Sequence, residues 1–178
     1  PNLILVTLDT TRADALGCYG GLAELVGAHG VTPVLDALAA EGARFERFFA
    51  QAPTTLNSHT TLMSGLDPHE HRVPRNGYPV PEGVPLLAER LEDAGYDTRA
   101  VVASAALERA MGLDRGFAHY DDAVPAAGEL IAQDRADRVV ERALGALDTR
   151  DRAKPLFLWV HFYDPHAPYA APEPWAHR

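Results

Sequence analysis

A chain of 178 residues, 47% hydrophobic and 23% charged, has an ordinary globular composition and enough apolar material for one sizeable core. Its formal net charge of −9 argues against nucleic acid or an anionic membrane surface as the main partner. Cys18 is the only cysteine, which excludes an intrachain disulfide and a cysteine-based metal cluster. A site for anionic substrates on such a chain needs a local cation, and a bound metal would supply one.

Leu3 to Leu8 is a short apolar run, as in a strand covered on both faces, and it stops at Asp9-Thr10-Thr11-Arg12. Thr32 stands where a helix N-cap is expected, with Pro33 at the first helical position and Gly42 just past the end. Val34, Leu35, Leu38 and Ala39 make one apolar face of that helix. Ser58 is placed to cap a short helix through Met63 that Gly65 stops. Pro68 is read as a helix breaker, which makes Asp67 to His71 a solvated loop. A further helix runs from about Val84 to Ala94, turning Leu87, Ala88 and Leu91 inward and ending at Gly95.

Tyr96 to Ala103 reads as the next strand. Between about Gly128 and Leu147, Ile131, Val139, Val140, Ala143, Leu144 and Leu147 recur at helical spacing. Pro155 opens a last strand, Leu156 to Phe162. Alternating strands and helices predict an α/β fold around a largely parallel sheet. The abrupt start and the proline-rich end, with Pro165, Pro168, Pro172 and Pro174, read as one domain that is incomplete.

Sites in parallel α/β sheets lie beyond the carboxyl ends of the strands. Asp9 follows the first strand there, either as a turn or cap acid or as a metal ligand. Thr55 lies in a hydroxyl-rich segment, Thr54 to Thr61, that either caps a helix or offers a nucleophile at a helix N-terminus. His59 sits within that segment, within reach of a bound anion. His166 follows Asp164-Pro165 at the end of the last strand, as a solvent-facing residue or as an anion contact. Asn76 belongs first to a turn and second to a substrate oxygen. His161, inside an apolar strand, reads as a hydrogen-bonded core histidine. His69 and His71 lack the helical pairing of a zinc protease and read as loop residues.

In this order the residues resemble the sulfatase family of the alkaline-phosphatase superfamily. The resemblance rests on Pro1 to Asp14 with Leu16-Gly17-Cys18-Tyr19-Gly20, Thr32 to Gly42, and Ser58 to Gly65. Gly95-Tyr96-Asp97-Thr98, Gly116-Phe117 and Asp164-Pro165-His166 extend it. It implies an alkaline-phosphatase-like α/β/α sandwich, of which residues 1–178 are the N-terminal part of a single catalytic domain. It also implies a divalent metal, zinc, calcium or manganese, held in part by Asp9 and Thr55. Sulfatases proper carry Cys-x-Pro-Ser-Arg, whereas this chain has Thr55-Leu56-Asn57-Ser58-His59, so no formylglycine is expected. The paired acids common after the first strand are Asp9-Thr10, and Ala103-Ser104-Ala105 replaces the usual lysine and histidine.

Threonine at position 55 resembles the phosphotransferases and phosphodiesterases of the superfamily. The resemblance therefore implies a hydrolase or transferase acting on phosphate or sulfate esters, phosphate favoured, of a small molecule, glycan or lipid. In that reading Thr55 is the nucleophile and His59, Asn76 and His166 contact substrate. The alternative is a non-catalytic binding or structural domain that kept the fold. The compartment stays open, an exported or membrane-associated parent protein among the options.

Overall fold

The computed structural model describes residues 1–20, 32–124, 134–171 and 173. Its elements in chain order are β1 Leu3–Leu8, α1 Pro33–Glu41, α2 Thr55–Ser64, α3 Pro68–His71, α4 Leu87–Asp93, β2 Asp97–Val102, β3 His119–Asp121, α5 Ala136–Asp148 and β4 Leu156–Phe162. Short 3-10 turns connect them. No helix among the described residues is long and apolar enough to cross a membrane.

The four strands form one parallel sheet in the order β1-β4-β2-β3. Thr7 lies opposite His161 and Leu8 opposite Phe162, so β1 and β4 end together. The loops after them, carrying Asp9 and Asp164-Pro165-His166, therefore open on one edge of the sheet. That adjacency, unavailable from the sequence, is what the expected site required.

The chain divides into two compact units, Thr10–Phe49 and a larger one made of Pro1–Asp9 with Ala50–Arg178. In the smaller unit the Asp36 carboxylate accepts from the Cys18 N–H at 2.7 Å and from the Thr32 hydroxyl at 2.9 Å. Thr32 thus spends its side chain on Asp36 instead of capping α1. The apolar face expected on α1 is largely exposed, with Val34 and Leu38 both in solvent.

In the larger unit one face of the sheet carries Ala100, Val102, Phe157 and Trp159, packed with Leu56 and Met63 of α2, Ala88 of α4, and Phe117 and Tyr120. The opposite face carries Val101, Leu156, Leu158 and Val160 beneath Val139, Ala143 and Ala146 of α5. The result is the α/β/α layering expected. β1 departs from the expectation of a strand covered on both faces. Ile4 and Val6 stay 64% and 52% exposed, because α5 lies over β4 and β2 and leaves them bare.

Other differences have local causes. α2 begins at Thr55, because Thr54 is extended and its carbonyl accepts from the Ser58 N–H. Ser58 therefore sits inside the first turn, donating to the Thr55 carbonyl at 3.1 Å. Pro68 starts a helix instead of breaking one: it occupies the first position of α3 behind an Asp67 and Glu70 capping box. Buried His71 belongs to that helix. α4 starts later than expected, at Leu87. Gly128 and Ile131 lie outside the described residues, and α5 is described from Ala136. β3 was not anticipated, since three residues with only Tyr120 buried carry no legible alternation.

Arg99 and Asp97 tie β2 to the end of α5. Arg99 donates to both Asp97 carboxylate oxygens at 2.9 and 3.1 Å, and to the carbonyls of Ala146 and Thr149 at 2.8 and 2.9 Å. A guanidinium there satisfies carbonyls that the helix leaves open at its C-terminus. Burial works against ionisation of Asp97. The Arg99 hydrogen bonds and the Asp151 N–H outweigh it and hold the carboxyl below its ordinary value. Asp97→Asn should lower stability in urea unfolding by about 3 kcal/mol, as for other broken buried pairs. The contribution should be complete above about pH 4, the unfolded value, and should vanish as pH falls through the lower folded value.

Gly116 is a glycine on which the packing visibly depends. Its φ is +80°, and an added Cβ would stand 2.1 Å from the backbone nitrogen of Glu89 in α4. Gly116→Ala should cost about 2–5 kcal/mol, combining left-handed strain with overpacking against a backbone that cannot yield. A thermal melt indistinguishable from wild type would contradict this packing.

Candidate active site

β1 delivers Asp9 to the sheet edge, and its N–H donates to the Phe162 carbonyl at 2.9 Å, prolonging the β1–β4 ladder by one bond. Thr10, immediately after it, has φ of +50°, unusual for a β-branched residue and a mark of a constrained turn. α2 delivers Thr55 at its first turn. The two meet: the Thr55 hydroxyl donates to Asp9 Oδ2 at 3.2 Å across 46 residues of sequence. Asp9 is only 8% exposed. Burial alone would raise its pKa, but His161 and the Thr55 hydroxyl hold it below the usual carboxylate value.

His161 lies at the end of β4 with Nε2 3.7 Å from Asp9 Oδ2. Its Nδ1 pairs with the Thr7 hydroxyl at 2.9 Å, and that hydroxyl also accepts from the Trp159 indole N–H at 3.0 Å. His59, one turn into α2, packs edge-on against His161 with ring centroids 4.9 Å apart. Its Nδ1 is 2.7 Å from the Thr55 carbonyl, which can only accept, so Nδ1 carries the proton. Burial first, and then the neighbouring His161, lowers the His59 pKa to about 4. In this neutral form Nε2 is an acceptor, and it suits a hydroxyl or protonated oxygen better than a fully ionised one.

Asn76 touches the site from outside. Its Oδ1 accepts from the Leu56 N–H at 2.8 Å, satisfying one open donor of the first turn of α2 and leaving its amide nitrogen as the group for a ligand. His166 is held differently. It stacks on Tyr163 at 4.4 Å, and its Nδ1 donates to the Ala167 carbonyl at 2.5 Å. With Asp134, Asp164 and Pro168 it lines a cleft of about 40 Å³ that Asp9 and Thr55 do not line. The structure thus brings Asp9, Thr55 and His59 together and holds Asn76 at the same helix end. Tyr163, on which His166 stacks, has its pKa raised by burial and by the charge of Asp9.

Three residues at this site escaped the sequence reading in their present role: His161, Thr7 and Trp159. The signal was a polar pair, Thr7 and His161, each interrupting an otherwise apolar strand. Only the strand register makes them neighbours. Elsewhere Asp67, His69 and Glu70 bring possible ligand atoms within 4.8 Å of one another on an exposed surface. Glu70 Oε2 already accepts from the Asp67 N–H at 3.0 Å in the capping box.

The sulfatase family model matches residues 1–178, the whole of this chain. The chain belongs to the sulfatase family. This sulfatase-family chain is 25% identical over 177 residues to an N-acetylglucosamine-6-O-sulfatase of Bacteroides thetaiotaomicron, covering 93% of the chain and 31% of that relative. The phosphonate monoester hydrolase of Agrobacterium radiobacter superimposes with a TM-score of 0.74 at 25% identity, covering 98% of the chain and 43% of that structure. A structure solved with its substrate D-glucosamine-2-N,6-O-disulfate gives 0.77 at 23% identity, over 94% of the chain and 35% of that structure. The C-terminal periplasmic domain of EcEptC from Escherichia coli, solved with zinc, gives 0.70 at 19% identity, over 97% of the chain and 46% of that structure. The last two likenesses bear on the fold. In each case the chain spans less than half the length of its relative.

The buried His59 makes a checkable statement about pH. Its folded value of about 4 lies below the ordinary 6.5, so between these values the unfolded chain binds the proton first. Stability should therefore fall as pH drops from 6.5 towards 4, and His59→Gln should flatten that slope. Ring nitrogen NMR should show His59 neutral, with the proton on Nδ1, at pH 6.

Proposed function

We propose that this chain carries the nucleophile half of a metal-assisted esterase or transferase site. The observation that supports it is the hydrogen bond from Thr55 to buried Asp9, made at the N-terminus of α2. Two oxygen donors, one of them a carboxylate held ionised in a buried setting, suit zinc, calcium or manganese as a part of the ligand set. Bound there, a divalent ion supplies positive charge that lowers the pKa of the Thr55 hydroxyl.

The chain's own groups then divide the work. Asp9 Oδ2 accepts the hydrogen bond of the Thr55 hydroxyl and fixes its direction. Thr55 Oγ1 attacks the phosphorus or sulfur of an anionic ester while the bond from that atom to the departing oxygen breaks. The proton of the Thr55 hydroxyl ends on that oxygen, which leaves as an alcohol, and a covalent Thr55 ester remains for water or a second alcohol to release. The N-terminal end of α2 favours the negative charge that develops at this point. Asn76, through its amide nitrogen, His59 and His166 are the substrate contacts of this reading.

Phosphate esters are the favoured substrates, because a threonine oxygen stands where formylglycine would be needed for the usual sulfatase reaction. A phosphonate hydrolase among the structural relatives is consistent with phosphorus chemistry. Sulfate esters are the second reading, favoured by the sulfatase names of the relatives and by a sulfated glucosamine bound in one of them. A small-molecule, glycan or lipid ester fits either.

The test is turnover of an aryl phosphodiester and an aryl sulfate by the full-length protein, with and without chelator. Cleavage of the phosphodiester that chelator abolishes is the expected result, and Thr55→Ala should reduce it at least 1,000-fold, on the order of losing a nucleophile. Asp9→Asn should lose metal affinity as well as turnover. Unchanged turnover in Thr55→Ala would sink the mechanism, and sulfate cleavage alone would establish the second reading.

A further inference from the structure

Among the described residues two histidines are buried completely, and they are built differently. His71 has both ring nitrogens satisfied: Nδ1 accepts from the Val73 N–H at 3.1 Å and Nε2 donates to the Thr61 hydroxyl at 3.0 Å. His161 has only Nδ1 satisfied. Its Nε2 has no hydrogen-bond partner among the described residues and faces Asp9 Oδ2 at 3.7 Å. A purely structural histidine at such a position is expected to resemble His71, because an unpaired buried donor is costly.

The proton inventory gives that nitrogen a direction. The Trp159 indole can only donate, so its bond to Thr7 Oγ1 occupies one lone pair of the hydroxyl. If the Thr7 proton is given to His161 Nδ1, Nε2 carries a hydrogen aimed at a carboxylate. The reverse arrangement would turn a lone pair towards the Asp9 charge and waste the Thr7 proton. The chain of donors therefore runs from Trp159 to Thr7 to His161 and ends at Asp9. Alternation along the strands puts all four on one side of the sheet, with Thr7 directly opposite His161 in the register of β1 and β4.

We infer that His161 is a positioning residue for Asp9: held by Thr7 and Trp159, it fixes the orientation of the carboxylate that is proposed to bind metal. The inference rests on the metal-site reading given above. It concerns a residue that touches neither metal nor substrate, and it assigns the buried Thr7–Trp159 pair to the site. Groups that hydrogen-bond to a ligand carboxylate set its geometry, and their loss typically weakens metal binding by about 10- to 100-fold.

The experiment is calorimetric titration of Mn²⁺ alone into the full-length protein and its variants. Thr7→Val and His161→Leu should each weaken Mn²⁺ binding by about 10- to 100-fold. Thr7→Ser, which restores the hydroxyl, and His161→Gln, which restores a donor near Nε2, should bind close to wild type. If His161→Leu fails to fold, the near-isosteric Thr7→Val carries the test. Ring nitrogen NMR of wild type should find the His161 proton on Nε2, and finding it on Nδ1 would overturn the inference. So would wild-type Mn²⁺ affinity in Thr7→Val, or a loss in Thr7→Ser as large as in Thr7→Val. Equal Mn²⁺ binding by wild type and Asp9→Asn would instead remove the metal-site reading, and this inference with it.

Discussion

The parallel pairing of β1 with β4 is the constraint on which the rest depends. It sets Thr7 against His161 and lets the Asp9 N–H continue the ladder to the Phe162 carbonyl. A shift of one residue in this register would turn Thr7 and Asp9 to the other face, away from α2. Buried strands usually secure register through apolar packing on both faces. β1 has that on one face only, so the polar bonds from Trp159 to Thr7 and from Thr7 to His161 add register specificity where packing is thin.

α2 meets this edge as a short helix whose N-terminus points at Asp9. Leu56 and Met63 bury it against the sheet, and Thr60 returns its hydroxyl to the Leu56 carbonyl at 2.7 Å so that a threonine can sit fully inside. Asn76 closes the first turn from a separate loop. The helix is thereby fixed at both its buried side and its open end. Thr55 is half-buried at the remaining corner, where a hydroxyl can be both held and reached. Membership of the sulfatase family agrees with this construction.

The electrostatics follow the same plan. A chain with a net charge of −9 keeps an acid buried at its candidate site and surrounds it with histidines, hydroxyls and a helix N-terminus. Such surroundings favour the ionised form of Asp9. Asp97, by contrast, is matched by Arg99 and is spent on architecture.

Much was legible in the sequence, for physical reasons that are local. Apolar runs located β1 and β4, the stretch from Tyr96 to Ala103 read as the strand that contains β2, and Pro33 with Gly42 and the Gly95 stop bounded two helices. An acid after a strand and hydroxyls before a helix marked Asp9 and Thr55, and the ordered motifs indicated the family. Local signals failed where tertiary contacts decide. Pro68 can start a helix or end one, and the Asp67–Glu70 box selected the first. His161 reads as core in one dimension, because only the strand order makes Thr7, Trp159 and Asp9 its neighbours. Thr55 and Asp9 are 46 residues apart, and neither spacing nor composition brings them to 3.2 Å. Residue chemistry along the chain determined which groups could react; the register of two parallel strands and the packing of one helix decided which of them meet.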